Sequence, residues 1–534
     1  MFLVLSLLID SDILFPFFQS FVTCISFSLS YTAGITTAWI NFNIKSKGLM
    51  HCINISEATA LIYGTELTES INLVADDLIS NNLQLLSVGT LTGPTVLPSG
   101  TIDTGILQAS TTAPDRKHRA NLPSSHPFCY IYTSGTTGLP KAVVIPMRKY
   151  SSAGSTLAHV YMQPGVDRNY CVLPLFHSAG GMLGGSAFLA GIAIIIKGKF
   201  SASAFFKDCA TYGATVTQYI GELCRYLTAT PPSEYDTKHK LRLAIGNGMR
   251  PDIWDEFQDR FHIPEVLEFY GATEGTGSTI NFCTRKEDRG AVGRLGYFLR
   301  RQNGYKIVKF DVEKEELVRD PTTGYCIECE AGEAGELFTP ISNSTPFDGY
   351  KNPAATKKKI ATNVFQEGDH YFRSGDLLSV DRRGYFYFVD RIGDTFRWKG
   401  ENCSTTEVSE CVSVYPGISE CNAYGVLIPE NMDGRAPMVA ITPEDGDLSK
   451  LDLHGLAVYV NKELPPYAVP IFIRILPQIA QTATFKHQKV ALRKDGIDLN
   501  IITDPIYWMN PQTRTYEPFG APELHTVVTR QARL

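Results

Sequence analysis

The chain of 534 residues has no surplus of positive charge. It carries 49 Lys and Arg against 55 Asp and Glu, for a net charge of −6 and a pI near 6.0. A balance of that sign excludes general binding to nucleic acid polymers. Charged residues are sparse at 19% and hydrophobic ones make up 44%, which excludes a disordered chain and suits a large packed core. The twelve cysteines are scattered, mostly inside apolar runs such as those around Cys129, Cys171, Cys224 and Cys421. They read as small buried hydrophobes in a reducing compartment. Only Cys326 and Cys329 form a C-x-x-C, and with no second pair or neighbouring histidines they supply no four-ligand zinc site. Two nucleotide signatures are also missing. Pro140 stands where the second glycine of a P-loop belongs, and Pro251 stands where a G-x-G-x-x-G fingerprint ends. The apolar residues 1–30 lack a basic leader and a small-residue cleavage site, so they make a poor secretory signal. Asp10, Asp12, Pro16 and Gln19 also weaken any membrane span there. Three readings of these thirty residues compete: a membrane-dipping anchor, a buried helix, or a wrongly assigned start.

The most informative stretch is residues 130–141, Tyr-Ile-Tyr-Thr-Ser-Gly-Thr-Thr-Gly-Leu-Pro-Lys, opened by the strand-like run 128–132. Hydroxyl residues Thr133, Ser134, Thr136 and Thr137 alternate with Gly135 and Gly138, and Lys141 follows directly after Pro140. Glycines let the backbone approach an anion, hydroxyls and amides donate to phosphate oxygens, and the lysine adds a point charge. By composition this is a phosphate cradle. A plain Ser/Thr/Gly turn between two strands has the same residue types, but not in so specific an order.

That order resembles the signature of the adenylate-forming superfamily, which comprises acyl-CoA synthetases, adenylation domains of peptide synthetases and luciferase-like ligases. The resemblance runs from about residue 32 to about residue 493. It implies an α/β fold with two domains. The first is a large N-terminal adenylation domain of layered βα subdomains over residues 31–391, shortened at its start relative to the family. The second is a small mobile α+β domain over residues 392–505, and residues 506–534 are left as a C-terminal extension. The resemblance also places ATP on Tyr132, Thr133, Ser134, Gly135, Thr136, Thr137, Gly138 and Lys141, with Thr133 taking part in catalysis.

The other motifs follow in order. Residues 192–196 form a continuous β-branched run of the kind found in buried parallel strands. Residues 170–177 read as a strand ending at His177, which by resemblance lines the route between ATP and the acyl group. Gly180, Gly181, Gly184 and Gly185 behind it either allow close helix packing or leave room for an acyl chain. Gly246, Asn247 and Gly248 leave a strand before the helix opened by Pro251, and match a turn that packs against adenine. In residues 266–274, Val-Leu-Glu-Phe-Tyr-Gly-Ala-Thr-Glu, Tyr270 suits a purine and Thr273 the α-phosphate. Gly271 continues the contact, and Glu274 is a hard oxygen ligand for magnesium and a catalytic residue. By the same resemblance, Asp376 accepts from the ribose hydroxyls and Arg391 lies near the nucleotide. Gly393, beside Asp394, falls at the hinge position. Lys486 matches the lysine that enters the site for adenylation, with Lys489 as the alternative assignment.

Residues 395–402, Thr-Phe-Arg-Trp-Lys-Gly-Glu-Asn, look like the fatty acid transport protein and very-long-chain acyl-CoA synthetase branch, with Gly400 leaving passage for a pantetheine arm. Ser404 and Glu407 read as a structural capping box. The implied reaction activates a long- or very-long-chain fatty acid through an acyl-adenylate and transfers it to CoA, using ATP and Mg2+, in an enzyme coupled to fatty acid uptake. The competing readings are a ligase for another carboxylic acid (delivering to a carrier protein or serving secondary metabolism) and an inactive truncated lipid-transport homologue. The terminal Ala532-Arg533-Leu534 resembles a peroxisomal address read by an import receptor. The alternative location is a membrane of the endoplasmic reticulum, lipid droplet or plasma membrane, held peripherally or through the N-terminus.

Overall fold

The computed structural model describes residue 30 and residues 33–81, 83–89, 100–101, 110, 112, 114–133, 139–283, 285–312, 314–399, 401–429, 434–482 and 487–529. The chain divides into two compact units. One comprises residues 1–289 and 341–360, the other residues 290–340 and 361–534.

In the first unit, strand β1 (Thr37–Trp39) runs parallel to β2 (Pro127–Thr133), which pairs antiparallel with β3 (Lys141–Pro146). Helix α1 (Ser46–Ser56) precedes β2, and helix α2 (Met147–Val160) follows β3. The main sheet then alternates strand and helix. Its elements are β4 (Arg168–Cys171), α3 (Leu183–Leu189), β5 (Ala193–Ile196), α4 (Phe205–Thr211), β6 (Val216–Ile220), α5 (Gly221–Thr228), β7 (Leu243–Asn247), α6 (Pro251–Phe261), β8 (Glu265–Gly271) and β9 (Ser278–Cys283). The six strands lie in the order β9-β8-β7-β6-β4-β5, all parallel except the outer β9. The C-terminal ends of β4, β6, β7 and β8 therefore share one edge. Chain order reverses between β4 and β6, because the chain passes outward to β5 before returning, and sheets of this kind bind ligands at such a reversal. The core between sheet and helices includes Met162, Ala187, Val216, Leu243, Ile245 and Leu267.

Two expectations shift here. The run 192–196 is not a buried central strand: β5 lies at the sheet's edge, with Ala193 exposed and Ile194 to Ile196 half-buried. The strand expected over 170–177 stops at Cys171, and the chain turns at 174–177, where His177 N–H donates to the Pro174 carbonyl at 3.1 Å.

The second unit holds an antiparallel sheet in the order β10 (Gly293–Arg294), β14 (Tyr385–Arg391), β13 (His370–Val380), β12 (Gly335–Pro340) and β11 (Lys306–Val308). A hairpin follows, of β15 (Phe396–Trp398) and β16 (Glu401–Cys403), and then helix α7 (Thr405–Ser413). Ser404 Oγ accepts from Glu407 N–H at 3.2 Å and caps α7. A five-stranded sheet, β17 (Ile418–Leu427), β18 (Arg435–Pro443), β19 (Phe472–Ile475), β20 (Ile506–Met509) and β21 (Tyr516–Pro518), packs on α7 and α8 (Leu453–Glu463) through Tyr424, Ile441, Leu456, Val460 and Phe472. Residues 506–518, expected as an extension beyond this domain, supply two of its strands, with Trp508 and Tyr516 in the core. Residues 290–340 and 361–391 cluster with this half of the chain and not with residues 31–289.

Candidate nucleotide and acyl-transfer site

Residues 134–138, which carry Ser134, Gly135, Thr136, Thr137 and Gly138, lie outside the described residues, but both ends of their loop are placed. Thr133 pairs with Lys141 across β2 and β3, so the loop closes a hairpin. Helix α1 holds its two flanks. The Tyr132 hydroxyl donates to the Cys52 carbonyl at 2.6 Å, and His51 Nε2 lies 2.9 Å from the Pro140 carbonyl. The Tyr132 ring is thus buried among Cys52, Tyr130 and Ala142, a core position for a side chain expected to face ATP. Lys141 Nζ sits 5.8 Å from the centre of the Tyr350 ring.

The shared edge of the main sheet gathers three more motifs. At the end of β7, a side chain at Gly246 would run into the Tyr219 ring and carbonyl, and Gly248 takes a positive φ of 76°. Below this turn Glu268 is almost fully buried. Its Oε1 accepts from the Gly248 and Met249 amides, and its Oε2 accepts from the Tyr219 hydroxyl at 2.5 Å. Burial pushes the Glu268 carboxyl up to about 8 against the pull of those donors.

After β8, Tyr270 is half-buried, Gly271 is exposed, and the chain turns through Thr273, Glu274 and Gly275. Lys149, from the first turn of α2, donates to the Thr273 carbonyl at 2.7 Å and the Gly275 carbonyl at 2.8 Å, bracketing Glu274. Burial pulls this ammonium down to about 8, opposed by Glu274 and Asp348. The Tyr350 hydroxyl donates to Glu274 Oε1 at 2.6 Å, and Lys359 Nζ lies 3.6 Å from the same oxygen. Ser178 Oγ is 3.0 Å from Thr273 Oγ1, so the segment after His177 meets this turn directly. His177 is half-buried, and its Nδ1 accepts from Ala179 N–H at 3.3 Å. The glycines behind it divide by role. Side chains at Gly180 and Gly181 would strike the Pro174 and Leu175 carbonyls, which is close packing, while one at Gly184 would meet nothing nearer than 3.7 Å.

In the second unit, Asp376 and Arg391 are direct partners across β13 and β14. The turn before Asp376 rests on buried Glu336, which accepts from Arg373 Nη2 at 2.7 Å and from the Gly375 amide at 3.1 Å. Gly375 has a positive φ of 79°. After Arg391, buried Asp390 accepts from the Thr405 amide at 2.7 Å and from the Thr395 hydroxyl at 3.0 Å. Lys489 Nζ donates to Thr405 Oγ1 at 2.6 Å and lies 3.4 Å from Asp394, while Arg493 donates to the Gly393 carbonyl at 2.7 Å. Gly400 and Lys486 lie outside the described residues. The Lys486 segment is closed at its base by a bridge between Gln481 and His487.

The family model for AMP-binding enzymes matches residues 26–350, and that for the AMP-binding enzyme C-terminal domain matches residues 407–486. Long-chain fatty acid transport protein 1 of Homo sapiens is 40% identical over 498 residues, covering 91% of this chain and 75% of that protein. This chain is an AMP-binding enzyme of the long-chain fatty acid transport protein family. Long-chain fatty acid transport protein 2 of Rattus norvegicus is 38% identical, covering 94% of this chain and 80% of that one. The fold is that of ATP-bound MatB from Rhodopseudomonas palustris, with a TM-score of 0.69 and 19% identity, covering 88% of this chain and 91% of that one.

In this AMP-binding enzyme, sequence reasoning passed over Lys149, Tyr350, Lys359 and Glu268. Glu268 was visible within the motif that names Tyr270 and Glu274, since it sits where strand alternation turns a side chain onto one face. Lys149 and Tyr350 carry no such signal. They meet Thr273 and Glu274 only through contacts more than seventy residues away in the chain.

Proposed function

We propose that this protein is an AMP-forming acid–CoA ligase that activates long- or very-long-chain fatty acids. The observation that carries this reading is the Thr273–Glu274–Gly275 turn, fixed from both sides by Lys149 and Tyr350 on the same sheet edge as the Gly246–Gly248 turn. A carboxylate held at the reversal between β4 and β6 attacks the α-phosphorus of ATP, and the bond to pyrophosphate breaks as the acyl-adenylate forms. The thiol sulfur of CoA then attacks the acyl carbon, AMP leaves, and the thiol proton passes to solvent.

The residues present fit a magnesium ion. The Tyr350 hydroxyl and the Lys359 ammonium both meet Glu274 Oε1, and the carboxylate supplies hard oxygen donors of the kind magnesium takes. A magnesium ion held there would neutralise phosphate charge. In the same reading the 133–141 loop and Lys141 hold the phosphates, and Thr273 orients the α-phosphate. Gly246, Asn247, Gly248, Tyr270 and Gly271 flank adenine, with the Tyr132 backbone opening the loop. Asp376 and Arg391 take the ribose, His177 lines the acyl route, and Gly400 admits the pantetheine arm. Catalysis here is positioning and electrostatics, with Lys486 offsetting charge that builds on the α-phosphate. Lys489, held by Thr405 and Asp394, is the less available of the two lysines.

The deciding experiment measures AMP and pyrophosphate release with Mg-ATP across acids from short to very long chain, with and without CoA. Acid-dependent AMP release that rises with chain length and requires CoA for thioester formation is expected. A folded protein that turns over no acid overturns the reading. Lys486→Ala abolishes adenylation yet keeps thioester formation from supplied acyl-AMP, and equal loss of both steps removes Lys486 from its role.

A further inference from the structure

The second unit carries a surface feature that acid activation does not use. Helix α9 (Tyr297–Asn303), which lies between β10 and β11, begins with three consecutive large apolar side chains turned to solvent. Tyr297 is 63% exposed, Phe298 84% and Leu299 54%. Among the described residues no other three in succession are exposed in this way. Protruding apolar residues in a row mark a contact surface.

The tip is held in place. The Leu295 amide donates to the Gly384 carbonyl at 2.9 Å, and a side chain at Gly384, where φ is +85°, would strike the Leu295 carbonyl. The start of α9 is therefore locked against the 381–384 turn. The turn itself is built on Asp381, whose Oδ1 accepts from the Arg383 and Tyr385 amides at 2.9 Å each.

Basic residues neighbour this tip in the helix and in the 381–384 turn. Arg300 and Arg301 follow it in the helix, and Arg301 Nη1 lies 3.4 Å from the Tyr297 hydroxyl. Arg294 and Arg383 both lie over the Tyr385 ring, at 5.1 and 4.8 Å, and Arg382 is exposed beside them. The carboxylates near these groups are Asp381, which pairs with Arg383, and Glu328, which pairs with Lys306 and lies 4.0 Å from Arg300. Five arginines thus lie on the two segments, 294–301 and 382–383, that meet at this apolar tip, on a chain whose net charge is −6. A polynucleotide offers phosphates to the arginines but no medium for Leu299 and Phe298.

We propose that Tyr297, Phe298 and Leu299 dock this protein on anionic bilayers, the three apolar side chains entering the interface while Arg294, Arg300, Arg301, Arg382 and Arg383 meet lipid phosphates. Aromatic residues favour the headgroup level, and basic residues beside them add attraction to anionic lipid. No helix among the described residues is long and apolar enough to cross a membrane, so contact by these residues is a surface contact.

Flotation of the full chain with vesicles of phosphatidylcholine, with and without phosphatidylserine, tests this. Binding is expected to need phosphatidylserine and to weaken with salt. Phe298→Ser should lower vesicle affinity on the order of tenfold without changing charge. Neutralising Arg301 and Arg382 together to Gln should lower it about twentyfold. Leu427→Ser, at an exposed apolar position on β17, serves as the control and should bind as the parent does. Circular dichroism establishes that each variant is folded. Equal binding by the parent and Phe298→Ser overturns the proposal, and this includes the case where residues 1–29 alone hold the protein to lipid. Salt-sensitive binding indifferent to Phe298 marks a general polyanion patch and also overturns it. So does a change of sedimentation mass at Phe298→Ser with no change in vesicle binding, which would assign the patch to self-association.

Discussion

Glu268 shows how one buried carboxyl can govern a glycine turn. Its two amide donors, Gly248 and Met249, have no other acceptor among the described residues, so Glu268→Ala should cost about 2–3 kcal/mol in chemical unfolding. Glu268→Gln keeps an acceptor for both. The folded protein holds the Glu268 proton up to about 8, whereas an unfolded chain releases it near the ordinary value of 4.5. Between those values the folded state binds the extra proton, so this group's contribution to stability is full below about 4.5 and is lost as pH rises towards 8. Thermal unfolding between pH 5 and 8.5 should therefore decline less steeply in Glu268→Gln than in the parent. Lys149 acts on the neighbouring turn. With Met in its place, the Thr273 and Gly275 carbonyls lose their donor, and the turn that carries Glu274 is held only on the Tyr350 and Lys359 side. Pyrophosphate exchange should then show kcat/KM for Mg-ATP reduced by roughly 100-fold, as expected for a displacement of about 1 Å at a reacting centre. Thr273, Glu274, Gly246 and Asp376 were named from their chemistry and spacing, and the structure puts Thr273, Glu274 and Gly246 along one sheet edge and Asp376 opposite Arg391. Lys149 and Tyr350 were not legible in this way, because an exposed-looking Lys or Tyr gains its meaning only from what folding brings beside it.

Among the elements, the parallel strands β4, β6, β7 and β8 were legible from runs of apolar residues broken by Gly and Pro. The edge position of β5 was not. Its unbroken Ala-Ile-Ile-Ile reads as a strand covered on both faces, and only the order of strands in the sheet decides which one has a free side. The shorter β4 has a local cause, since Pro174 has no N–H to continue a ladder. The tight seat of Gly246 against Tyr219 yields a prediction at this scale. Gly246→Ala forces its methyl into the Tyr219 ring, which cannot retreat because its hydroxyl is tied to Glu268. The variant should lose about 1–3 kcal/mol by overpacking, with a loss of nucleotide affinity measured by calorimetry.

At the scale of the molecule, linear reading placed one boundary near residue 392. The structure sends residues 290–340 and 361–391 to the second compact unit and returns residues 341–360, with Asp348 and Tyr350, to the first. Such a division rests on pairings between distant strands, which no local pattern encodes. The second unit has its own buried charge. Arg474 donates to Asp495 at 3.0 Å and to Asp504 at 2.7 Å, so Arg474→Met leaves two carboxylates uncompensated and should cost about 3–5 kcal/mol in urea unfolding. The two late strands β20 and β21 bear on inheritance. An allele that stops translation near residue 505 retains every nucleotide motif but strips β20, one of the two partners of β19, and removes Trp508, Tyr516 and Phe519 from the core. Its product would be lost to degradation and not to faulty chemistry. The phenotype of such a late nonsense allele should match a null, and missense changes at Trp508 should grade towards it in step with protein abundance.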